Sequence, residues 1–334
     1  MAIERLDERS QENIANLLDR IRNKECCAFI GAGLSRPARY PSWLELLDKL
    51  KAESENCLGA KIDDAHLDYY ERAQEYRNIL GIDNYRNIIQ REFDPENDKQ
   101  PWLPVHLYLV EMPFISYITT NYDCIIENAY AYIERDLAPI YNFYPLLPIS
   151  HLRDRQVYHI HGIIDHSRLI ETLNSIILTR SDFDEAYAPG SNLIKLITCI
   201  YTELTSFFVG FNVRDPWMMR ILKSSLSEFE QTRKIAFGRG IGPLKNIKHY
   251  ALLPYAKKTP TDDHIGRRII TEEIDLDATN REDEDLQSLG VYTIRYTGDS
   301  QNHTQLINII HDLYEAITGI KEHLISQDLT FRGE

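Results

Sequence analysis

Short, wholly apolar runs alternate with longer amphipathic stretches along this chain, and the runs end on glycines or small polar residues. Residues 10–24 place Ile14, Leu17, Leu18 and Ile21 at helical spacing, which predicts an amphipathic helix. Cys26-Cys27-Ala28-Phe29-Ile30 then reads as a strand buried on both faces, and it leads into Gly31-Ala32-Gly33-Leu34-Ser35. After Pro41, Ser42-Trp43-Leu44-Glu45 has the spacing of a capping box, predicting a helix through about Leu50. From about 53 to 112 the pattern is helical and charge-rich, without a convincing strand. Phe114 to Thr119 is the next buried strand; it ends at Thr120-Asn121-Tyr122-Asp123, ahead of a helix from Cys124 to about Arg135.

Residues 136–150, rich in Pro and Tyr, predict a loop. Val157 to Ile160 is a short strand ending at His161-Gly162, and Ser175 to Leu178 reads as another. Ser181 is read as the N-cap of helices reaching about Thr205. Ser206 to Val209 is a buried strand ending at Gly210-Phe211-Asn212, and Asp215-Pro216-Trp217 caps and opens the next helix. Two more strands are predicted at Tyr250–Leu253 and Val291–Ile294, with an acidic loop and solvated helix over 261–288 between them. A last helix from Thr304 to Ala316 carries Leu306, Ile309, Ile310 and Leu313 on one face. Buried strands alternating with helices predict an α/β fold, a doubly wound and mostly parallel sheet with helical insertions.

Composition narrows the partners more than the fold. The 334 residues suffice for one large domain with an insertion, or for two domains, and the net charge of −14 disfavours autonomous binding to a phosphate backbone. Five scattered cysteines, none in a C-x-x-C pair, point to a reducing compartment and leave no zinc ribbon, so no metal is expected. The first eighteen residues are charged, and no apolar run reaches membrane-spanning length; the expectation is a cytoplasmic protein without a membrane span.

Ligands of doubly wound sheets bind beyond the carboxyl ends of the strands, where the strand order reverses. Here the predicted ends carry the Gly31–Ser35 loop, Thr120-Asn121-Tyr122-Asp123, His161-Gly162 and Gly210-Phe211-Asn212. Glycines allow close backbone approach, and the small polar and titratable side chains suit a nucleotide. A Gly-x-Gly alone is weak, since any tight turn wants it. A hydride-transferring dehydrogenase would place an acidic residue at a second strand end about twenty residues on. Glu53 and Glu55 lie at that distance in helical text, so that fingerprint is not met.

Plainer roles compete at several positions. Asp123 sits where a helix begins and can be a cap; Asp215 before Pro216 and Ser42 are better read as caps. Asn121 can be a turn residue, and His159 is read as structural, facing away from His161. The Tyr69-Tyr70, Trp102 and Trp217 stretches are read as core, and Gly238, Gly240 and Gly242 as a flexible loop.

In combination the motifs become specific. GAGLS followed by Pro41-Ser42-Trp43, then TTNYD, IHG and VGFNVRDP, resembles the sirtuin-like superfamily, in particular bacterial sirtuin-like effectors of anti-phage defence. The likeness extends to ILTRSDFDEAY (177–187) and the GVYTIRY unit, covering roughly 25 to 316. It implies a Rossmann-like catalytic domain over 25–320 after an N-terminal helix (1–24), with a mostly helical insertion at about 53–112 and a tail at 321–334. It further implies NAD+ as substrate, cut to nicotinamide and ADP-ribose. Asn121 would hold the ribose or the attacking water, Asp123 would support it, and His161 would be the general base. Gly31, Ala32, Gly33 and Ser35 would line the pyrophosphate and ribose, with Trp43 and Thr120 among the NAD+ contacts and Gly210 and Asn212 on the adenosine half.

Two departures favour water over acetyl-lysine as acceptor. The paired cysteines of deacylating sirtuins are absent, and Arg36-Pro37-Ala38-Arg39-Tyr40 replaces their Ala-Gly-Ile-Pro-Asp-Phe-Arg stretch. Nicotinamide leaves as a neutral pyridine, so the barrier is an oxocarbenium-like ribose that needs positioning, dipoles and a base such as a near-neutral histidine. The resemblance also implies a homo-oligomer and a separate activating partner: a translocase ATPase, an Argonaute-like protein or a nucleotide-handling enzyme. The alternatives are a protein deacylase or ADP-ribosyl transferase, and a module that senses NAD+ or ADP-ribose without turnover.

Overall fold

The computed structural model describes residues 2–134, 141–146, 155–238, 247–258, 261–262, 268–269, 273–298 and 304–320. Its strands are β1 (Cys26–Ile30), β2 (Ser116–Thr119), β3 (Tyr141–Phe143), β4 (Gln156–His159), β5 (Thr205–Val209), β6 (His249–Pro254), β7 (Thr261–Asp262), β8 (Arg268–Ile269) and β9 (Val291–Tyr296). Seven of them form one sheet in the order β3-β4-β2-β1-β5-β6-β9, every pairing parallel. The short strands β7 and β8 pair antiparallel on their own. The central strand explains itself: all five residues of β1 are buried, Cys26, Ala28 and Ile30 in one core cluster and Cys27 and Phe29 in the other. Strand alternation therefore feeds two layers of helices at once.

One layer packs α1 (Glu8–Arg22), α6 (Pro104–Glu111), α7 (Ile125–Glu134) and α13 (Thr304–Thr318) on the first face. In α1 the buried Ile14, Leu17 and Ile21 face the sheet, while Asp7 caps the helix by accepting the Ser10 amide. The opposite layer contains α9 (Arg180–Ala186), α10 (Asn192–Glu203), α11 (Pro216–Gly238) and α12 (Leu276–Ser288). Between β1 and β2, α2 (Ala32–Ser35) leads to α3 (Trp43–Leu58), α4 (Tyr69–Leu80) and α5 (Ile82–Glu92), which share a third core with Tyr122 and Ile125. The Ser42–Glu45 capping box opens α3 as predicted, and the helix continues past Leu50 to a left-handed Gly59. The short helix α8 (Leu169–Thr172) follows β4.

The α/β class and the doubly wound parallel sheet match the sequence expectation, and some local expectations do not. Residues 141–143 within the predicted loop form the edge strand β3. Ser175–Leu178 is no strand: Ile177 donates to the His161 carbonyl at 2.9 Å, without a ladder. Ser181 is not the cap, because Thr179 and Asp182 form a reciprocal capping box, and Ser191 separately caps α10. The tail at 321–334, together with Gly240 and Gly242, lies outside the described residues. Among the described residues no helix is long and apolar enough to cross a membrane.

Candidate active site

Strand order puts the four singled-out strand ends side by side: β4, β2, β1 and β5 are consecutive neighbours. The chain leaves β1 toward β2 on one side and reaches β5 on the other, so the order reverses beside β1. A cavity opens there, lined among others by Ala32, Trp43, Thr120, Asn121, Asp123 and His161. A larger cavity lies at the opposite, amino-terminal ends of β1 and β5, around Glu25, Thr198 and Thr205. The smaller one is the candidate, because it sits at the carboxyl ends and gathers Asp123 and His161, whose proton affinities burial displaces.

The glycines of the first loop serve packing. Gly31 donates to the Val209 carbonyl at 3.1 Å and Gly33 to the Gly210 carbonyl at 2.9 Å, so these amides already brace the loop against the end of β5. A Cβ on Gly31 would collide with the Gly210 carbonyl. Gly210 has φ +59°, and a Cβ there would come within 2.8 Å of the Leu34 amide nitrogen. Gly210→Ala is therefore expected to destabilise the fold by about 1–3 kcal/mol, read as a lower urea midpoint with unchanged slope. An unchanged midpoint would show that the loop does not need this contact.

Asn121 is fixed from three directions. Its amide N–H donates to Thr119 Oγ1 at 3.0 Å, and its carbonyl lies 3.1 Å from His159 Nδ1. Its side-chain Nδ2 donates to Ser35 Oγ at 2.9 Å. Ser35 in turn hydrogen-bonds the Asp123 carboxyl, so its hydroxyl accepts from Asn121 and donates onward. That direction of donation assigns the carboxamide orientation and leaves Asn121 Oδ1 buried without a partner. Ser35 thus links Asn121 to Asp123.

Asp123 is buried, which pushes its carboxyl up to about 6 despite the opposing Ser35 and Ile125 hydrogen bonds. Its Oδ1 accepts the Ile125 amide at 3.3 Å, so the cap role and the cavity-lining role coexist. His161 is enclosed by aromatic rings, with centroids at 5.0 Å for Phe183, 5.9 Å for Tyr187 and 6.4 Å for Trp43. This burial lowers its imidazole to about 3, so it is neutral at physiological pH and does not titrate near neutrality as anticipated. Nε2 lies 2.7 Å from the Tyr187 hydroxyl, leaving Nδ1 as the nitrogen not engaged by that bond. Trp43 stacks on Phe183, and its Nε1 is buried without a partner.

The structure thus brings Asn121, Asp123, His161, Ala32, Trp43 and Thr120 around one cavity. It places Gly31, Gly33 and Gly210 behind that cavity as packing. Asn212 is exposed, and its Oδ1 accepts the Arg214 amide at 3.2 Å in a turn. His159 and His161 do point to different sides, but strand alternation is not the cause, since residues two apart share a face. The chain leaves the sheet after His159, and Gly162 turns it with φ +89°. Sequence reasoning missed Glu127 and Tyr187. Glu127 stands one helical turn beyond Asp123, a spacing that could have flagged it. Tyr187 ends ILTRSDFDEAY with no local signal that it would reach His161.

Fold and site together define an α/β protein with a largely apolar cavity, into which a few polar and titratable side chains converge, at the switch point of a doubly wound sheet. Residues 115–269 match the family model described as SIR2-like domain. The NAD(+) hydrolase ThsA of Bacillus cereus (strain MSX-D12) is 26% identical over 250 residues, covering 75% of this chain and 47% of the relative. That of Enterococcus faecium is 31% identical over 216 residues, 63% of this chain and 41% of the relative. Defense-associated sirtuin 2 of Bacillus subtilis is 27% identical over 240 residues, 66% of this chain and 22% of the relative. The matches span less than half the length of these relatives. Residues 115–269 are thus similar to the SIR2-like domain, and the relatives the chain resembles are of the sirtuin-like kind its motifs implied.

Proposed function

We propose that this chain is an NAD+ hydrolase, releasing nicotinamide and ADP-ribose, and that it serves as a regulated anti-phage effector. The observation that carries the proposal is the pairing of Asn121 and His161, forty residues apart in sequence, on one cavity with Asp123. The names of the relatives, NAD(+) hydrolase and defense-associated sirtuin, support the same activity and setting.

The chemistry fits the side chains. As the C1′–N bond breaks, nicotinamide takes the bonding pair and leaves neutral, while positive charge develops on the ribose. The unpartnered Oδ1 of Asn121 accepts a hydrogen bond from a ribose hydroxyl or the incoming water without adding charge. Water attacks C1′, and its proton passes to the Asp123 carboxylate, whose value near 6 suits a base working at neutral pH. Neutral His161 accepts from a ribose hydroxyl through Nδ1, while Tyr187 orients the ring through Nε2. An activity that consumes a central cofactor must be held off until needed, so the proposal extends to a cytoplasmic homo-oligomer and a separate activating partner.

Incubating the purified chain with NAD+, alone and with its genomic neighbours, and quantifying products by chromatography tests the proposal. Nicotinamide and ADP-ribose are expected in equal amounts without any protein acceptor. Turnover only with an acylated or acceptor protein would identify a deacylase or transferase, and saturable binding without nicotinamide release would identify a sensor.

A further inference from the structure

We propose that His159 and Glu127 form a positioning dyad that holds Asn121 in its working orientation from behind the cavity. The inference rests on the NAD+-cleaving role proposed above and extends it to residues that do not line the cavity. His159 Nε2 lies 2.7 Å from Glu127 Oε1 and His159 Nδ1 lies 3.1 Å from the Asn121 carbonyl oxygen. All three residues are buried, His159 with 1% exposure. They come from three elements: the end of β4, the first turn of α7 and the loop after β2.

The acceptor chemistry fixes the protons. A carbonyl oxygen can only accept, so Nδ1 carries a hydrogen toward Asn121. One further proton is shared between Nε2 and the Glu127 carboxylate. Burial alone would depress His159, but the adjacent Glu127 charge and hydrogen bonds raise it above its ordinary value, consistent with an imidazolium–carboxylate pair. With Thr119 on the Asn121 amide and Ser35 on its Nδ2, the dyad closes the last degree of freedom of that residue. What remains is Oδ1, presented without a protein partner. A buried ion pair contributes little net stability. A role in holding Asn121 accounts for one placed here.

Two substitutions separate positioning from packing. In His159→Asn the carboxamide nitrogen stands where Nδ1 was and can still donate to the Asn121 carbonyl. In His159→Gln the longer side chain reaches Glu127 and leaves that carbonyl unheld. His159→Gln is expected to lower kcat on the order of 10²-fold with KM for NAD+ changed by less than about threefold. His159→Asn should recover most of that loss at a similar melting temperature. Hydrogen–deuterium exchange over 116–125, which needs no turnover, should rise in His159→Gln and stay near wild type in His159→Asn. Wild-type kcat and exchange in His159→Gln, or equal losses in both variants tracking their melting temperatures, would overturn the dyad. Absence of turnover in the wild type would instead sink the hydrolase proposal, with the exchange comparison still deciding the dyad.

Discussion

Asn121→Ala is expected to reduce nicotinamide release by about 10²–10³-fold, the loss typical of removing one preorganised polar contact to a transition state. The reason is the number of groups committed to this side chain. Thr119, Ser35 and His159 each hold one polar atom of residue 121, and only Oδ1 is left over. Truncation removes that acceptor and frees the Ser35–Asp123 pair from its third member. Because the backbone anchors survive, the variant should fold, and its melting temperature should fall by only a few degrees, about 1 kcal/mol for one hydrogen bond. Asn121→Asp is a sharper control: it keeps the shape and adds a second negative charge near Asp123. Binding of ADP-ribose, measured by calorimetry, should weaken far less than kcat falls. Wild-type turnover in Asn121→Ala would remove the carboxamide from the chemistry.

The second large effect separates stability from activity at Asp123. Its folded-state carboxyl sits at about 6, above the ordinary value of 3.8, because burial disfavours the charge. The folded protein therefore holds a proton that the unfolded chain has released between these values. The associated stability is fully present below about 3.8 and lost as pH rises through about 6. Above that, the buried carboxylate costs up to about 3 kcal/mol. Asp123→Asn, which keeps an acceptor for Ser35 and Ile125, should thus melt higher than wild type at pH 8. At pH 4 the two should melt together. Turnover should follow the opposite logic: wild-type kcat rises with pH through about 6 and then levels, whereas Asp123→Asn loses activity by about 10²–10⁴-fold throughout. A variant equally stable at both pH values would mean that the carboxyl does not titrate as a buried group.

Much of this architecture was legible because burial on both faces leaves so strong a mark. Cys26–Ile30 and Ser206–Val209 could be read as strands from apolar runs alone, and each proved fully buried. The Ser42–Glu45 and Asp215 caps were equally plain, since capping is local chemistry written within four residues. The misread pieces depend on partners far away in sequence. Tyr141–Phe143 becomes a strand only because β4 offers an edge, and 176–178 stays irregular although its apolar run looks the same. At the site, Asn121 and His161 were visible as strand-end residues. The bridge through Ser35, the Tyr187 hydroxyl and the Glu127–His159 pair were not, because each joins side chains from separate elements. The glycine loop shows a different limit: Gly31 and Gly33 were read for a phosphate, and close approach to Gly210 explains them without one.

The position of β1 in the middle of the sheet governs when the cavity can form. Its Ala28 pairs with Tyr117 on one side and with Phe207 on the other, both far downstream in sequence. Pairings so distant along the chain form slowly, and a strand emerging from the ribosome keeps both edges open until its neighbours arrive. The glycine loop that floors the cavity has no brace until Gly210 is synthesised. A chain ending before that residue therefore holds Asn121, Asp123 and His161 without the floor beneath them.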